Sequence, residues 1–350
     1  MKKQGIVQGK VAGKSYAFTF NYRVVYISLM LIGLLTLLMA IAVSHGSEIL
    51  NQSVLYQAIL GSSLSSLQQH ILIDVRLPRL ITTIFSGAAF GAAGAIFQSI
   101  SRNPLGSPDI LGFTSGAATG AVFHIVFISQ DPLGVVCFTL IGGFISAGLI
   151  YVLALRGQHV SSLRLILIGI GVGATLTSLT SLILVKGDLD NAMLATLWLS
   201  GSLDGRHWSH ATIAFYGCIC AIPVLLSQRR ALQMAEMGDT LASNLGVNIQ
   251  LSRKISLAFS VILVSLATAA VGPVAFIALV APHVSARLIG RHYLPIMTSA
   301  FIGALLLLMA DLLTQKLSFI AQLPVGRVTA IVGGIYLIGL LLFNSNGSKR

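Results

Sequence analysis

Residues 228–254 read QRRALQMAEMGDTLASNLGVNIQLSRK, the one long polar island in this chain. Six of its 27 residues are charged, against 9 % for the whole sequence. Apolar segments long enough to cross a bilayer lie on both sides of it. Lipid cannot hold such a segment, because its backbone and charges would lose water. The island therefore stands in water, and its Arg and Lys content places it on the cytoplasmic side. Within it, residues 239–245 suit a short helix. Asp239 opens that helix, where a carboxylate meets free N–H groups and the positive end of the dipole. Gly246 is a natural stop. Two readings follow: a solvated loop, or a helix on which a cytoplasmic partner docks.

Working outward, hydrophobic residues make up 55 % of the 350, and mean hydropathy is +0.89. Those values mark an integral membrane protein. The net charge of +12 would suit nucleic acid, but the charges are scattered over short loops. Lys2, Lys3, Lys10, Lys14 and Arg23 precede the apolar run 24–43. That run exceeds the roughly 7–15 residues of a signal-peptide core, so it reads as an uncleaved first membrane helix. The expected layout is a cytoplasmic tail over 1–23, one transmembrane domain over 24–343 with 228–254 as its cytoplasmic loop, and a second cytoplasmic tail over 344–350. The fold class is all-α and polytopic.

Further spans are expected near 80–100, 110–129, 135–155, 163–185, 211–227, 294–315 and 328–343. The stretch 255–282 is too long for one simple helix. Gly272-Pro273 splits it, leaving a short broken helix that ends near Pro282-His283. Ten spans result, with both ends inside. On this layout 16 of the 22 Lys and Arg fall on the cytoplasmic side, as the positive-inside rule requires. Arg76, Arg79, Lys186, Arg206, Lys316 and Arg327 are the exceptions. Gly87 with Gly91, the series Gly112, Gly116 and Gly120, and Gly169 with Gly173 repeat at the spacing that lets membrane helices approach closely. Cys137, Cys218 and Cys220 lie in apolar spans and read as small apolar fillers.

Enzyme chemistry is missing from the sequence. It holds no HExxH and no Cys/His cluster with zinc spacing. Gly13-Lys14-Ser15 imitates the end of a phosphate-binding loop, but the first glycine of that motif falls at Gln8. No catalytic residue, metal site or bound cofactor is expected. Asp311 is the main acid inside a span, which weakens a proton- or sodium-coupled carrier.

Six motifs occur in order: VRLPR (75–79), GAIFQS (94–99), RNPLGSPD (102–109), GDTLASNLG (238–246), FIALVAPH (276–283) and LPVG (323–326). Over residues 70–343 the chain resembles the permease family of iron-siderophore, haem and cobalamin ABC importers. Within it, the nearest likeness is to ferric-enterobactin permease subunits that pair with a second, different permease. The resemblance implies ten helices per subunit and two permease subunits around one pathway in a bacterial inner membrane. A separate ATPase dimer would hold ATP and Mg, and a periplasmic siderophore-binding protein would dock outside. Gly238, Asp239, Ala242, Leu245 and Gly246 match the family's coupling helix, with Asp239 where Glu is usual. Arg76 and Arg79 match its outer docking arginines. Lys316 stands beside Gln315, where a third would fall. Asn103, Leu105, Ser161 and Ser162 match segments that narrow the inner end of the pathway. A haem or cobalamin importer on the same scaffold, or a stand-alone secondary transporter, are the alternatives.

Overall fold

The computed structural model describes residues 4–11, 14–44, 65–156, 159–160, 162–290, 293–316 and 323–345. Its helices are α1 (Tyr22–Ser44), α2 (Ser66–His70), α3 (Leu77–Ser101), α4 (Phe113–Phe127), α5 (Pro132–Ala154), α6 (Ser162–Lys186) and α7 (Leu189–Leu199). They continue with α8 (Trp208–Glu236), α9 (Asp239–Asn244), α10 (Ile249–Val271), α11 (Ile277–Ile289), α12 (Ile296–Lys316) and α13 (Val325–Ser345). A π turn over Ile71–Arg76 joins α2 to α3. Strands β1 (Gln4–Val11) and β2 (Lys14–Asn21) pair antiparallel ahead of α1, so the segment read as a plain tail carries a hairpin. Two-residue strands β3 (Leu155–Arg156) and β4 (His159–Val160) pair between α5 and α6. The bundle itself is all helix.

By length and composition, α1, α2–α3 taken together, α5, α6, α8, α10 and α12 can cross a membrane. The three shorter apolar helices are α4, α11 and most of α13. Several boundaries differ from the sequence reading. The polar island is helical at both ends: α8 runs on to Glu236 and α10 begins at Ile249. Only residues 237–248 form the connection proper, and α9 lies inside it. Helix α7 occupies the stretch between the spans expected near 163–185 and 211–227. Asp188 caps it, its side chain accepting from the Asp190 N–H at 3.3 Å.

The Gly272-Pro273 break stands as expected, with Gly272 at φ +80° and Phe276 at φ +68°. However, α11 continues through Pro282 to Ile289 instead of ending there. Proline supplies no N–H to the carbonyl four residues back, that of Ala278. Helix α3 packs closely against this turn. The Gly94 backbone packs against Ala278 O, and Gln98 Nε2 donates to the next carbonyl, Leu279 O, at 3.0 Å.

The glycine pairs do what their spacing predicts. Helix α3 lies antiparallel against α12 with Gly87 on Gly303 and Gly91 on Ser299, so near that an added Cβ would overlap the facing backbone. Gly112 meets Gly169 and Gly173 in the same way. Around these seams Phe90, Ile96, Phe97 and Phe113 are fully buried, with Phe97 stacked on Phe113 at 4.9 Å. Cys218 is buried, while Cys137 and Cys220 are exposed.

Candidate functional site

Helix α9 is set off by two glycines in conformations that L side chains avoid: Gly238 at φ +123° and Gly246 at φ +81°. Its end is a Schellman motif. Gly246 N–H donates to Ser243 O at 2.9 Å, and Val247 N–H donates to Ala242 O at 3.1 Å. Ala242 is fully buried against Ala235 and Ile249. Leu245 ends the helix and points outward at 67 % exposure, with Met237 at 71 % and Leu241 at 56 %. The helix and its approach thus carry an exposed apolar edge.

Asp239 does not cap α9: among the described residues its carboxylate makes no bond to a helix N–H. It is instead held between two helices of the bundle. Arg253 of α10 forks onto it, Nη1 at 2.9 Å and Nη2 at 2.8 Å. Arg102 reaches it at 2.5 Å and also donates to Ala235 O at 2.6 Å. Burial raises the Asp239 carboxyl, but the hydrogen bonds and charges of Arg253 and Arg102 outweigh that and hold it below the ordinary carboxylate range. Arg102 terminates α3 in the left-handed conformation, φ +47°, which turns its side chain toward α9. A second tie runs from Ser99 Oγ to Glu236 at 2.9 Å. Gly246→Val should disturb this seat locally. Space for the side chain is open, so the cost is backbone strain of about 1–2 kcal/mol. The expected result is roughly tenfold faster chymotryptic cleavage within 237–248, with the folded yield unchanged.

Directly beyond Arg102 lies the segment expected to narrow the inner end. Asn103 Oδ1 accepts from the Leu105 N–H at 2.9 Å, a local turn that leaves Leu105 exposed. Both residues line a cavity of about 490 Å³ together with Arg102, Glu236, Arg287 and Leu340. Ser161 falls outside the described residues. Ser162 opens α6, and its side chain also falls outside them.

At the opposite end of α3, Arg79 is fully engaged inside the chain. Its Nε and Nη2 donate to Asp311 of α12 at 3.1 and 2.6 Å, and its Nη1 donates to Asp204 at 2.6 Å. The Asp311 side chain is 3 % exposed and that of Arg79 24 %. Gln315 Nε2 adds a bond to Asp311 at 2.9 Å. Arg79 thus ties α3, α12 and the loop after α7 together. Arg76, one turn before it, donates to Val43 O. Lys316, one turn beyond Asp311, is exposed at the end of α12. The antiparallel contact brings Arg76 and Lys316 to the same end of the bundle. Reading the sequence alone missed Arg102 and Arg253 as partners of Asp239, and Asp311 as the partner of Arg79. The available signal was charge: an acid and two nearby cations at water-standing breaks, and one buried acid level with one misplaced arginine.

Comparison with known proteins fits this geometry. The model of the FecCD transport family matches residues 34–343. The chain is 40 % identical over 300 residues to the ferric enterobactin transport system permease protein FepG of Escherichia coli (strain K12), covering 86 % of this chain and 90 % of that one. It is 37 % identical over 281 residues to the iron(3+)-hydroxamate import system permease protein FhuG of Bacillus subtilis (strain 168), covering 78 % and 83 %. A solved structure of a metal-chelate type ABC transporter in an inward-facing conformation superposes with a TM-score of 0.80 at 27 % identity, over 91 % of this chain and 99 % of that one. With the match spanning nearly the whole helical bundle, this chain belongs to the FecCD transport family.

Proposed function

We propose that this chain is the permease subunit of an ATP-driven importer that carries a ferric siderophore of the catecholate class into the bacterial cytoplasm. It works beside a second, different permease in the inner membrane. A separate ATPase dimer binds ATP and Mg, and a periplasmic protein delivers the chelate. Both termini and residues 228–254 face the cytoplasm. The observation that carries the reading is α9: a short helix in water with an exposed apolar edge, bolted by Asp239 to α3 and α10. Such an edge on a rigid seat is what a force-delivering partner needs. The pathway's inner end is narrowed by Asn103 and Leu105 beside that seat, and Arg76 and Lys316 meet the binding protein. Arg79 supports that outer end from within. An ion-coupled carrier is disfavoured because Asp311, the acid inside α12, is already neutralised by Arg79.

The test is reconstitution of this chain with its companion permease and ATPase. Proteoliposomes should take up ferric tris-catecholate only with ATP and the loaded binding protein. A Ser243→Cys variant should react with a membrane-impermeant maleimide from the cytoplasmic side alone. Uptake driven by an ion gradient without the ATPase would overturn the reading, as would labelling of position 243 from outside.

A further inference from the structure

A second cavity, of about 570 Å³, opens between α4, α6, α7 and the first turn of α13. That volume lies within the roughly 300–1,000 Å³ typical of small-molecule sites. Its wall is mostly apolar but carries a row of hydroxyls. Thr177, Ser181, Thr196 and Ser200 line it, with Arg327 and Asp109. Each of the four hydroxyls donates to the carbonyl one turn back, at 2.8 to 3.2 Å. Their protons are thus parked, and the wall is wettable without holding a ligand tightly. Asp109 Oδ1 accepts from Thr114 Oγ1 at 2.8 Å, and its Oδ2 is buried. The accessible charge of the cavity is therefore that of Arg327. Arg327 is exposed, donates to Ser200 Oγ at 3.2 Å, and has no carboxylate partner among the described residues. Arg79, by contrast, is saturated by two acids.

We propose that Arg327 is a transit contact for the anionic ferric chelate, an inference that rests on the import reading above. Its guanidinium fork matches paired oxygens and stacks on aromatic faces, which are the two features a ferric tris-catecholate presents. A single cation over a wall of satisfied hydroxyls attracts the anion and lets it go. Exposed Leu179 and Leu182 of α6 and Ile331 and Ile335 of α13 flank the opening, so a companion permease would complete the chamber.

The experiment uses the full reconstituted complex at low and high salt. Arg327→Gln should lower ferric tris-catecholate uptake about tenfold at low salt, the lower end of what electrostatic steering supplies. High salt should bring wild type and variant together, because it screens an exposed charge. Arg327→Lys should recover part of the rate, having the charge without the fork. The binding protein should bind both variants as it binds wild type. Wild-type rates in Arg327→Gln would overturn the proposal, and so would a loss equal at all salt concentrations. A loss traced to weaker binding-protein docking would also overturn it, and would make Arg327 a docking residue. A wild-type complex that moves no ferric chelate fails the import reading instead, so the two failures are distinguishable.

Discussion

Asp239→Arg should leave the protein folded in the membrane and remove more than nine-tenths of its ATP-driven uptake. The carboxylate accepts from Arg102 and Arg253 at 2.5 to 2.9 Å. Its side chain is 36 % exposed, so each arm contributes at most about 1 kcal/mol after screening. Reversal turns both attractions into repulsions. Two attractions lost and two repulsions of similar size gained make a swing of about 2 kcal/mol, more than a tenfold change in how often α9 is seated. Asp239 lies outside the long apolar helices, and Arg102 keeps its bond to Ala235 O, so membrane insertion should hold. Asp239→Glu should retain most activity, since the charge survives on a longer arm. The checks are ATPase co-purification and uptake per assembled complex. Normal uptake by Asp239→Arg would mean that the seat carries no force.

Asp311→Ala should act by a different route, costing about 3–5 kcal/mol of stability, as removal of one member of a buried ion pair does. Arg79 would keep only Asp204, whose side chain is 79 % exposed, and would face an apolar space where Asp311 stood. A lower yield of monodisperse protein and a lower melting midpoint in detergent are the expected readouts. The double variant Arg79→Met, Asp311→Leu should regain much of the loss, because two apolar side chains replace a buried pair at little net cost. If the double variant is as unstable as the single one, the pair is not what holds α3 to α12 at that end. Charge reversal of Arg79 would collapse this tie as well as any docking contact. A test of binding-protein docking therefore belongs at Arg76 and Lys316, with Arg79 left in place.

Much of the architecture was legible because it rests on short-range rules. The spacings of Gly87 with Gly91, of Gly112 with Gly116 and Gly120, and of Gly169 with Gly173 mark helix seams that the fold uses. Gly272-Pro273 breaks a helix wherever it occurs in an apolar run, and Gly246 ends one by its own backbone freedom. Pro282 misled, because the helix runs on through it while packed closely against α3. Long-range pairing was not legible. Arg102 and Asp239 are 137 residues apart, and Arg79 and Asp311 are 232 apart. Each residue attracted notice separately, Arg79 for standing on the wrong side of the charge rule and Asp311 for being an acid in a span. Their separate oddities have one cause, visible only once α3 and α12 lie side by side.

The glycine seam between α3 and α12 also sets how the molecule can move. Backbones in contact at Gly87 and Gly91 leave no slack. A slip of one residue, about 1.5 Å along the axis, would push a side chain into a place where only backbone fits. The two helices are therefore a strut that can tilt but not shear. Helix α3 has 25 residues, a length of about 37 Å. Asp239 grips it at one end through Arg102, and Arg79 stands at the other. A displacement applied at the Asp239 end of α3 is carried toward the Arg79 end along one closely packed pair of helices.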